Sequence, residues 1–438
     1  MDLLGLLGII LGIVLIILFI FKGLNVVVAA PIATIVILIF NDFPILETMF
    51  GKENSYMTAL ADLVATNFAI FLLGTILATY MDKSGATISI ASKVLAVVGT
   101  KNPFNAMVAL FIISAILSYG GINAILLIFA LIPMAKPIFK ELNISWKLAI
   151  IPIFGGSTTF TMTMFPGAPS FHNIVASTSL GTPLTAGSLL GIVAGIVSII
   201  FLLIFMKVSL NRSLKRKETF TDKELVDKNE EVNRVLPSFF ASILPLIVLL
   251  GIIFSFSSVE NIIIVALVAA ILLSAILFRK QIGNHKTILG SGANEAASST
   301  LTIASTTAFG SVTTSLPAFS SIFSLIQSIP GPPVLSLMVG TGLISGVTAS
   351  AVGAVGISVA SFAPYYLSLG LDPETVHRAI VIGSAALTSV PYSGFLIIYG
   401  KIAGLSIRET FKNGFISICV THWVAIAVVV IMTLIGLA

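Results

Sequence analysis

Gly155-Gly156-Ser157-Thr158-Thr159-Phe160-Thr161-Met162-Thr163-Met164-Phe165-Pro166-Gly167-Ala168-Pro169-Ser170-Phe171-His172-Asn173 is an apolar stretch broken by polar residues, glycines and prolines where a helix would otherwise run. Its counterpart is Gly383-Ser384-Ala385-Ala386-Leu387-Thr388-Ser389-Val390-Pro391-Tyr392-Ser393-Gly394. Proline removes a backbone donor and breaks a helix. Unwound backbone at membrane depth persists only where protein buries it or a wet cavity adjoins it. Two such breaks in two halves of a chain point to a transporter binding site near the bilayer midplane.

The surroundings of these breaks are membrane-like. Of 438 residues 57% are hydrophobic and 9% charged, against about a quarter charged in ordinary globular proteins. A transmembrane helix needs ~20 apolar residues, and such stretches recur from the first residues to the last. The fold class is therefore an all-α polytopic membrane protein. Leu3–Phe21 lacks a basic leader and a small-residue cleavage site, so it reads as a retained helix rather than a secretory signal.

Hydropathy places membrane helices at Leu3–Phe21, Leu24–Phe40, Leu60–Tyr80, Lys147–Phe165, Ala186–Met206, Pro237–Phe256, Asn261–Phe278, Ala293–Phe309, Thr375–Tyr399 and Phe415–Leu437. Pro103–Ala135 and Pro332–Ala363 are too long for one helix and too short for two crossings. Each has small residues in its middle, Ser118-Tyr119-Gly120-Gly121 and Gly346-Val347-Thr348-Ala349-Ser350. A helical hairpin that re-enters on its own side fits both.

Lys and Arg collect on the cytoplasmic side. With the Lys207–Arg234 loop inside, only Lys52 and Arg378 of the 23 basic residues land outside, and both termini are external. The net charge of +5 thus follows a membrane rule and implies no nucleic-acid partner. The layout divides into two halves of three helices, a hairpin and two helices, one of them discontinuous, and the halves have opposite orientation. Inverted repeats of this kind are a secondary-transporter plan. The linker between them mixes acids and bases and reads as a solvated connector.

The candidate substrate-binding residues are Ser118, Tyr119, Gly120 and Asn123 at the first tip, and Ser157, Thr159, Thr161, Pro166, Gly167 and His172 at the first break. Thr348 and Ser350 at the second tip and Ser389, Tyr392 and Ser393 at the second break complete the set. Half-helix N-termini offer free N–H groups and partial positive charge to an anion, while hydroxyls donate to it or coordinate a cation. Thr159, Thr348 and Ser389 are the coupling-ion candidates. Close helix packing explains either Ser/Thr/Gly cluster alone, but not their paired coincidence with breaks and hairpins.

His172 suits proton coupling or a helix-capping role. His285, His377 and His422 read as structural, as does Cys419, the only cysteine. Asp62 and Glu295 read as acids in the first turns of their helices, where they stabilise the N-terminus. The polar runs Ser298–Thr300 and Ser305–Thr307 fit a pathway or a domain interface equally. With no Arg or Lys near the midplane, a monoanion is favoured over a multiply charged substrate.

The chain resembles the gluconate permease (GntP) family of the ion transporter superfamily. Where the family carries Pro-His-Pro-Gly-Pro after its first hairpin, this sequence has Met164-Phe165-Pro166-Gly167-Ala168-Pro169. The family's second hairpin, followed by an Asp-Pro-Gly-Phe segment, is matched by Thr348-Ala349-Ser350-Ala351-Val352-Gly353 and then by Tyr392-Ser393-Gly394-Phe395. Leu405–Lys412 is similar to the family's closing amphipathic segment.

The resemblance implies cation symport of a hydroxy monocarboxylate such as gluconate or 3-hydroxybutyrate at the cytoplasmic (inner) membrane, without a cofactor beyond the coupling ion. It also implies a homodimer with an elevator arrangement. Residues 1–101 and 236–331 would be scaffold, 102–206 and 332–438 the moving transport domain, and 207–235 the linker. The family's histidine and aspartate are replaced here, so Na+ stands beside H+ as coupling ion. Rival readings are a sodium/proton antiporter, a di- or tricarboxylate carrier, and an intramembrane hydrolase using His172 with Ser170 or Ser157. No G-x-S-x-G or H-E-x-x-H motif supports an enzyme.

Overall fold

A computed structural model of the chain describes residues 3–22, 24–99, 102–122, 124–220, 235–256, 259, 261–348, 350–391 and 393–437. Among the described residues every regular element is helical. The first half comprises α1 (Leu3–Phe21), α2 (Val26–Phe40), α3 (Ile45–Phe50), α4 (Tyr56–Lys83), α5 (Ala86–Val98), α6 (Pro103–Tyr119), α7 (Ala124–Glu141), α8 (Ile150–Ser157), α9 (Phe171–Leu180) and α10 (Ser188–Lys215). The second comprises α11 (Phe239–Ser255), α12 (Ile262–Leu277), α13 (His285–Ser315), α14 (Phe319–Gln327), α15 (Pro333–Thr348), α16 (Ala351–Ser361), α17 (Ala363–Ser368), α18 (Pro373–Gly383), α19 (Gly394–Ala403), α20 (Ile407–Phe415) and α21 (Thr421–Leu434).

Local chemistry sets the helix starts. Asn102 caps α6, whose first residue is Pro103, and Asp372 caps α18 ahead of Pro373. Proline fits the first helical position because its missing N–H would be unpaired there anyway. Ser170 and Ser350 cap α9 and α16, the helices that leave the first break and the second hairpin turn.

The protein is a membrane protein by its outer surface. α10 exposes Ile192, Ile196, Ile200 and Ile204 at helical spacing, while Gly191, Ala194, Gly195, Ser198 and Leu202 face inward. Tyr56–Lys83, Ser188–Lys215 and Ile407–Leu434 are each 28 residues and apolar enough to cross a bilayer, among the described residues. Nine further apolar helices are shorter, at 10–17 residues.

α4 packs along α13, and the contacts around them recur in pairs: α12 lies on α4 as α2 lies on α13. Likewise α7, the return arm of the first hairpin, meets α19, and α16, that of the second, meets α9. Thr75 Oγ1 donates to Gly292 O at 2.8 Å across the α4–α13 contact.

Several expected boundaries shift. The third helix of each half is longer than its hydropathic core, and each is followed by a further helix, α5 or α14, that is not among the expected spans. α13 begins at His285, so Glu295 sits in its third turn and is no helix-start acid; Asp62 likewise lies in the second turn of α4. Both carboxylates are exposed. The proposed helices Lys147–Phe165 and Thr375–Tyr399 are each divided, into α8 with a π turn at Phe160–Met164, and α18 with α19.

Candidate substrate and ion site

At the first break α8 ends on Ser157, Thr159 adopts φ −120° and ψ −114°, and a single π turn follows. Such turns occur mostly at functional positions. Gly167 then takes φ +76°, a conformation that costs a side-chain-bearing residue. The backbone groups freed here must find partners, and the first hairpin supplies them. Ser118 Oγ donates to Ser157 O at 2.6 Å and lies 3.1 Å from Thr161 Oγ1. Tyr119 O–H donates to Pro166 O at 2.6 Å, and Gly120 and Gly121 let the turn press against Leu246 and Pro169.

The structure therefore brings Ser118, Tyr119, Gly120, Ser157, Thr161, Pro166 and Gly167 together. The hydroxyls are already engaged: Ser157 donates to Ile153 O, Thr159 to Gly155 O and Thr161 to Gly156 O.

The second set is looser. Thr348 Oγ1 donates within its own hairpin, to Ile344 O at 2.9 Å, and Ser350 Oγ accepts from Gly353 N–H at 3.1 Å. Ser389 N–H points at Cys419 Sγ, 3.3 Å away, while Ser389 Oγ is buried without a protein partner. Ser393 is buried at the start of α19 and makes no side-chain cap. The Thr159 and Thr348 hydroxyls are engaged by carbonyls of their own segments, whereas the Ser389 hydroxyl is not. Asn123 and Tyr392 lie outside the described residues.

Sequence reasoning missed a buried cation. Arg378, assigned to the outer surface, is fully buried in α18. Its Nε and Nη2 donate to Ala186 O at 3.0 and 2.6 Å, with Thr163 O and Leu184 O at 3.4 and 3.5 Å. Among the described residues no carboxylate lies within ion-pair distance of it. Glu374, one turn earlier, is exposed and accepts from Gly187 N–H at 3.1 Å. Arg378 thus lies against the first break, which the sequence reading does not foresee, because the segment from Thr182 to Gly187 folds over α18.

Two histidines read as structural also reach the break. Asn173 Nδ2 donates to Ala168 O and Leu184 O, which leaves Oδ1 to accept from His377 Nε2 at 2.8 Å. Thr182 O–H then donates to His377 Nδ1 at 2.6 Å. His422 Nδ1 faces Ile418 O at 2.6 Å and must donate, and its Nε2 lies 2.9 Å from Thr163 Oγ1, whose single proton also has Thr159 O within 2.9 Å as an acceptor. His172, partly buried with Nδ1 unpartnered, is therefore not alone near the site.

A cleft of about 730 Å³ opens between α4 and α9, lined by Thr66, Ser177, Thr178, Thr182 and Asn261. Ile70 and Ile174 connect it to a gap of only about 20 Å³ that touches Gly120, Gly121, Pro169 and Glu295. A vestibule of mixed polarity, with Ile174, Leu184, Ile262 and Ile263 beside its hydroxyls, thus ends at the hairpin turn and first break.

The GntP family permease profile matches residues 4–265. The chain belongs to the GntP permease family. It is similar to the uncharacterized transporter YxjC of Bacillus subtilis, 24% identical, over 95% of this chain and 96% of that protein. The crystal structure of the Alcanivorax borkumensis YdaH transporter shares the fold, with a TM-score of 0.53 and 15% identity across 87% of this chain and 88% of that one. The protein is a membrane transporter and not an enzyme.

In this permease Ser170, the proposed hydrolase nucleophile, donates to Met162 O at 2.6 Å and caps α9, while Ser157 donates into its own helix. Both serve the broken backbone. Phe165 packs against the Tyr119 and Phe160 rings.

Proposed function

We propose that this permease is a secondary active transporter that carries a small hydroxy monocarboxylate together with H+ or Na+ across the cytoplasmic membrane. The observation that carries the reading is the buried, carboxylate-free Arg378 at the first break, where the first hairpin turn is bonded to Ser157 and Pro166. A desolvated guanidinium favours an anion beside it. One cation matches one carboxylate, and the hydroxyls around it suit a hydroxy acid.

The paired contacts of α7 with α19 and α16 with α9 support two inverted repeats, with both termini external and the Lys207–Arg234 linker cytoplasmic. In an elevator movement α4 and α13 form the static wall, and the hairpins with the broken helices slide past it. The polar exposed stripe Ser291, Asn294, Glu295 and Ser298 on α13 cannot face lipid cheaply. It suits the wall of the pathway or a homodimer contact.

A second reading has one observation in its favour: Glu295 lies beside the hairpin turn, where a carboxylate could exchange Na+ and H+ without an organic substrate. Proteoliposomes separate the two. Radiolabelled gluconate and 3-hydroxybutyrate are offered under separately imposed proton and sodium gradients. Accumulation of an acid driven by one gradient is expected; cation exchange with no acid uptake would select the antiporter. If Ser389→Ala and Thr159→Ala both left uptake unchanged, the site assignment would be wrong.

A further inference from the structure

At the opposite end of α10 from the vestibule, a cleft of about 330 Å³ lies between the last turns of α10 and the start of α20. Five cations line it: Lys147, Arg212, Arg216, Arg408 and Lys412. Arg212 with Arg216, and Arg408 with Lys412, are spaced four residues apart, so each pair projects from one helix face. α10 packs against α21, the continuation of α20, which fixes the two faces side by side.

The acids nearby do not neutralise the cleft. Glu409 accepts from the Ser406 N–H and hydroxyl in a capping box and lies 3.5 Å from Lys147. Glu218 accepts from the Ser213 hydroxyl and lies 3.9 Å from Arg216. Among the described residues Arg212, Arg408 and Lys412 have no carboxylate within 4 Å. The sorting of basic residues to the inner side does not require this convergence. Another cleft, at Gln281–Ser291 and about 230 Å³ in size, is lined by a single cation, Lys83.

We propose that this cleft binds the phosphate headgroup of an anionic phospholipid of the cytoplasmic leaflet. Basic pockets between membrane helices on the cytoplasmic side are suited to such headgroups. The cleft is two-faced as a lipid requires: Leu148, Phe205 and Ile416 line it together with the cations. On the adjoining surface of α10, Val208 and Leu214 are 45% and 48% exposed and offer a track for an acyl chain. A free phosphate would use the cations and leave the apolar wall unfilled. The choice of leaflet rests on the orientation proposed above, whereas binding to the cleft does not.

Native mass spectrometry of the full chain in detergent, supplied with equimolar phosphatidylglycerol and phosphatidylcholine, tests this independently of orientation. Retained phosphatidylglycerol adducts are expected. Arg212→Gln/Arg408→Gln/Lys412→Gln should weaken them on the order of 100-fold, about five-fold per charge, and Lys83→Gln/Lys93→Gln/Arg279→Gln should not. If the triple variant does not fold, Arg408→Gln alone should show the five-fold loss. Equal retention of the two lipids, or undiminished binding by the Arg212 triple variant, would overturn the proposal. So would displacement of the lipid by inorganic phosphate at lower concentration. Lipid binding that appears only when Glu224, Asp227, Glu230 and Glu231 are replaced by Gln would also overturn it, by making the linker the occupant.

Discussion

Replacing Arg378 probes the site most directly, because its two contributions can be separated. The short bonds from Nε and Nη2 both end on Ala186 O. A hydrogen bond from a charged donor contributes roughly 1.5–3 kcal/mol, so losing both costs about 3–6 kcal/mol of support for the segment over α18. The contacts at 3.4 and 3.5 Å lie beyond the usual N–H···O range and add little. The charge is a second term. For a carboxylate ~8 Å away at an effective dielectric of ~20, the attraction is about 2 kcal/mol, or roughly 30-fold in affinity.

Arg378→Lys keeps the charge and loses the fork, whereas Arg378→Gln loses both. In proteoliposomes the Lys variant should melt earlier yet keep its KM for the hydroxy acid within a few-fold. The Gln variant should raise KM by about 30-fold. A folded Gln variant with unaltered KM would refute the argument that Arg378 supplies the charge for an anion.

Tyr119→Phe removes the bond to Pro166 O and strands a buried carbonyl, a loss of about 1–3 kcal/mol; uptake should slow by roughly 5- to 100-fold in a stopped-flow efflux assay. Gly156→Ala would place Cβ 2.4 Å from Phe111 O and 2.7 Å from Ser114 Cβ, so hairpin and α8 must separate and the yield of folded protein by size-exclusion chromatography should collapse. Gly74→Ala meets nothing within 4 Å and should stabilise α4 by about 0.5–1 kcal/mol, seen as a higher melting temperature. Glu295→Gln should leave the cation dependence of acid uptake intact; its loss would make Glu295 part of the coupling-ion site.

Hydropathy made the long helices legible, since burial in lipid demands an unbroken apolar run. Small residues in the middle of an apolar stretch marked both hairpin turns, and proline with glycine marked both breaks, because these residue types act on the local backbone. What stayed hidden depends on distant partners. Arg378 bonds to carbonyls 192 to 215 residues away, and carbonyls have no side-chain signature. His422 meets Thr163 across 259 residues. Arg378 stands near the start of the expected helix Thr375–Tyr399 and counted only as an outer charge, although residues of the first half cover it. The start of α13 is rich in Gly, Ser and Asn, which depresses hydropathy and misplaced Glu295 at a helix start.

The source of positive potential at the site also needs revising. Helix dipoles alone would present two N-termini, those of α9 and α19, to an anion. The first is occupied, because Ser170 Oγ caps α9 by accepting from Asn173 N–H at 3.3 Å. The second is not, because Ser393 makes no side-chain cap on α19, and Ser389 Oγ a turn earlier is buried with no protein partner. The two breaks are therefore chemically unequal. The first is a finished structure whose hydroxyls satisfy its own carbonyls and whose charge comes from Arg378 of the other half. The second keeps open donors. An anion held between them would be fixed by charge from one side and by backbone and hydroxyl donors from the other. On the function proposed above, that division would let two similar breaks hold a substrate with a polar end and an anionic end in a single orientation.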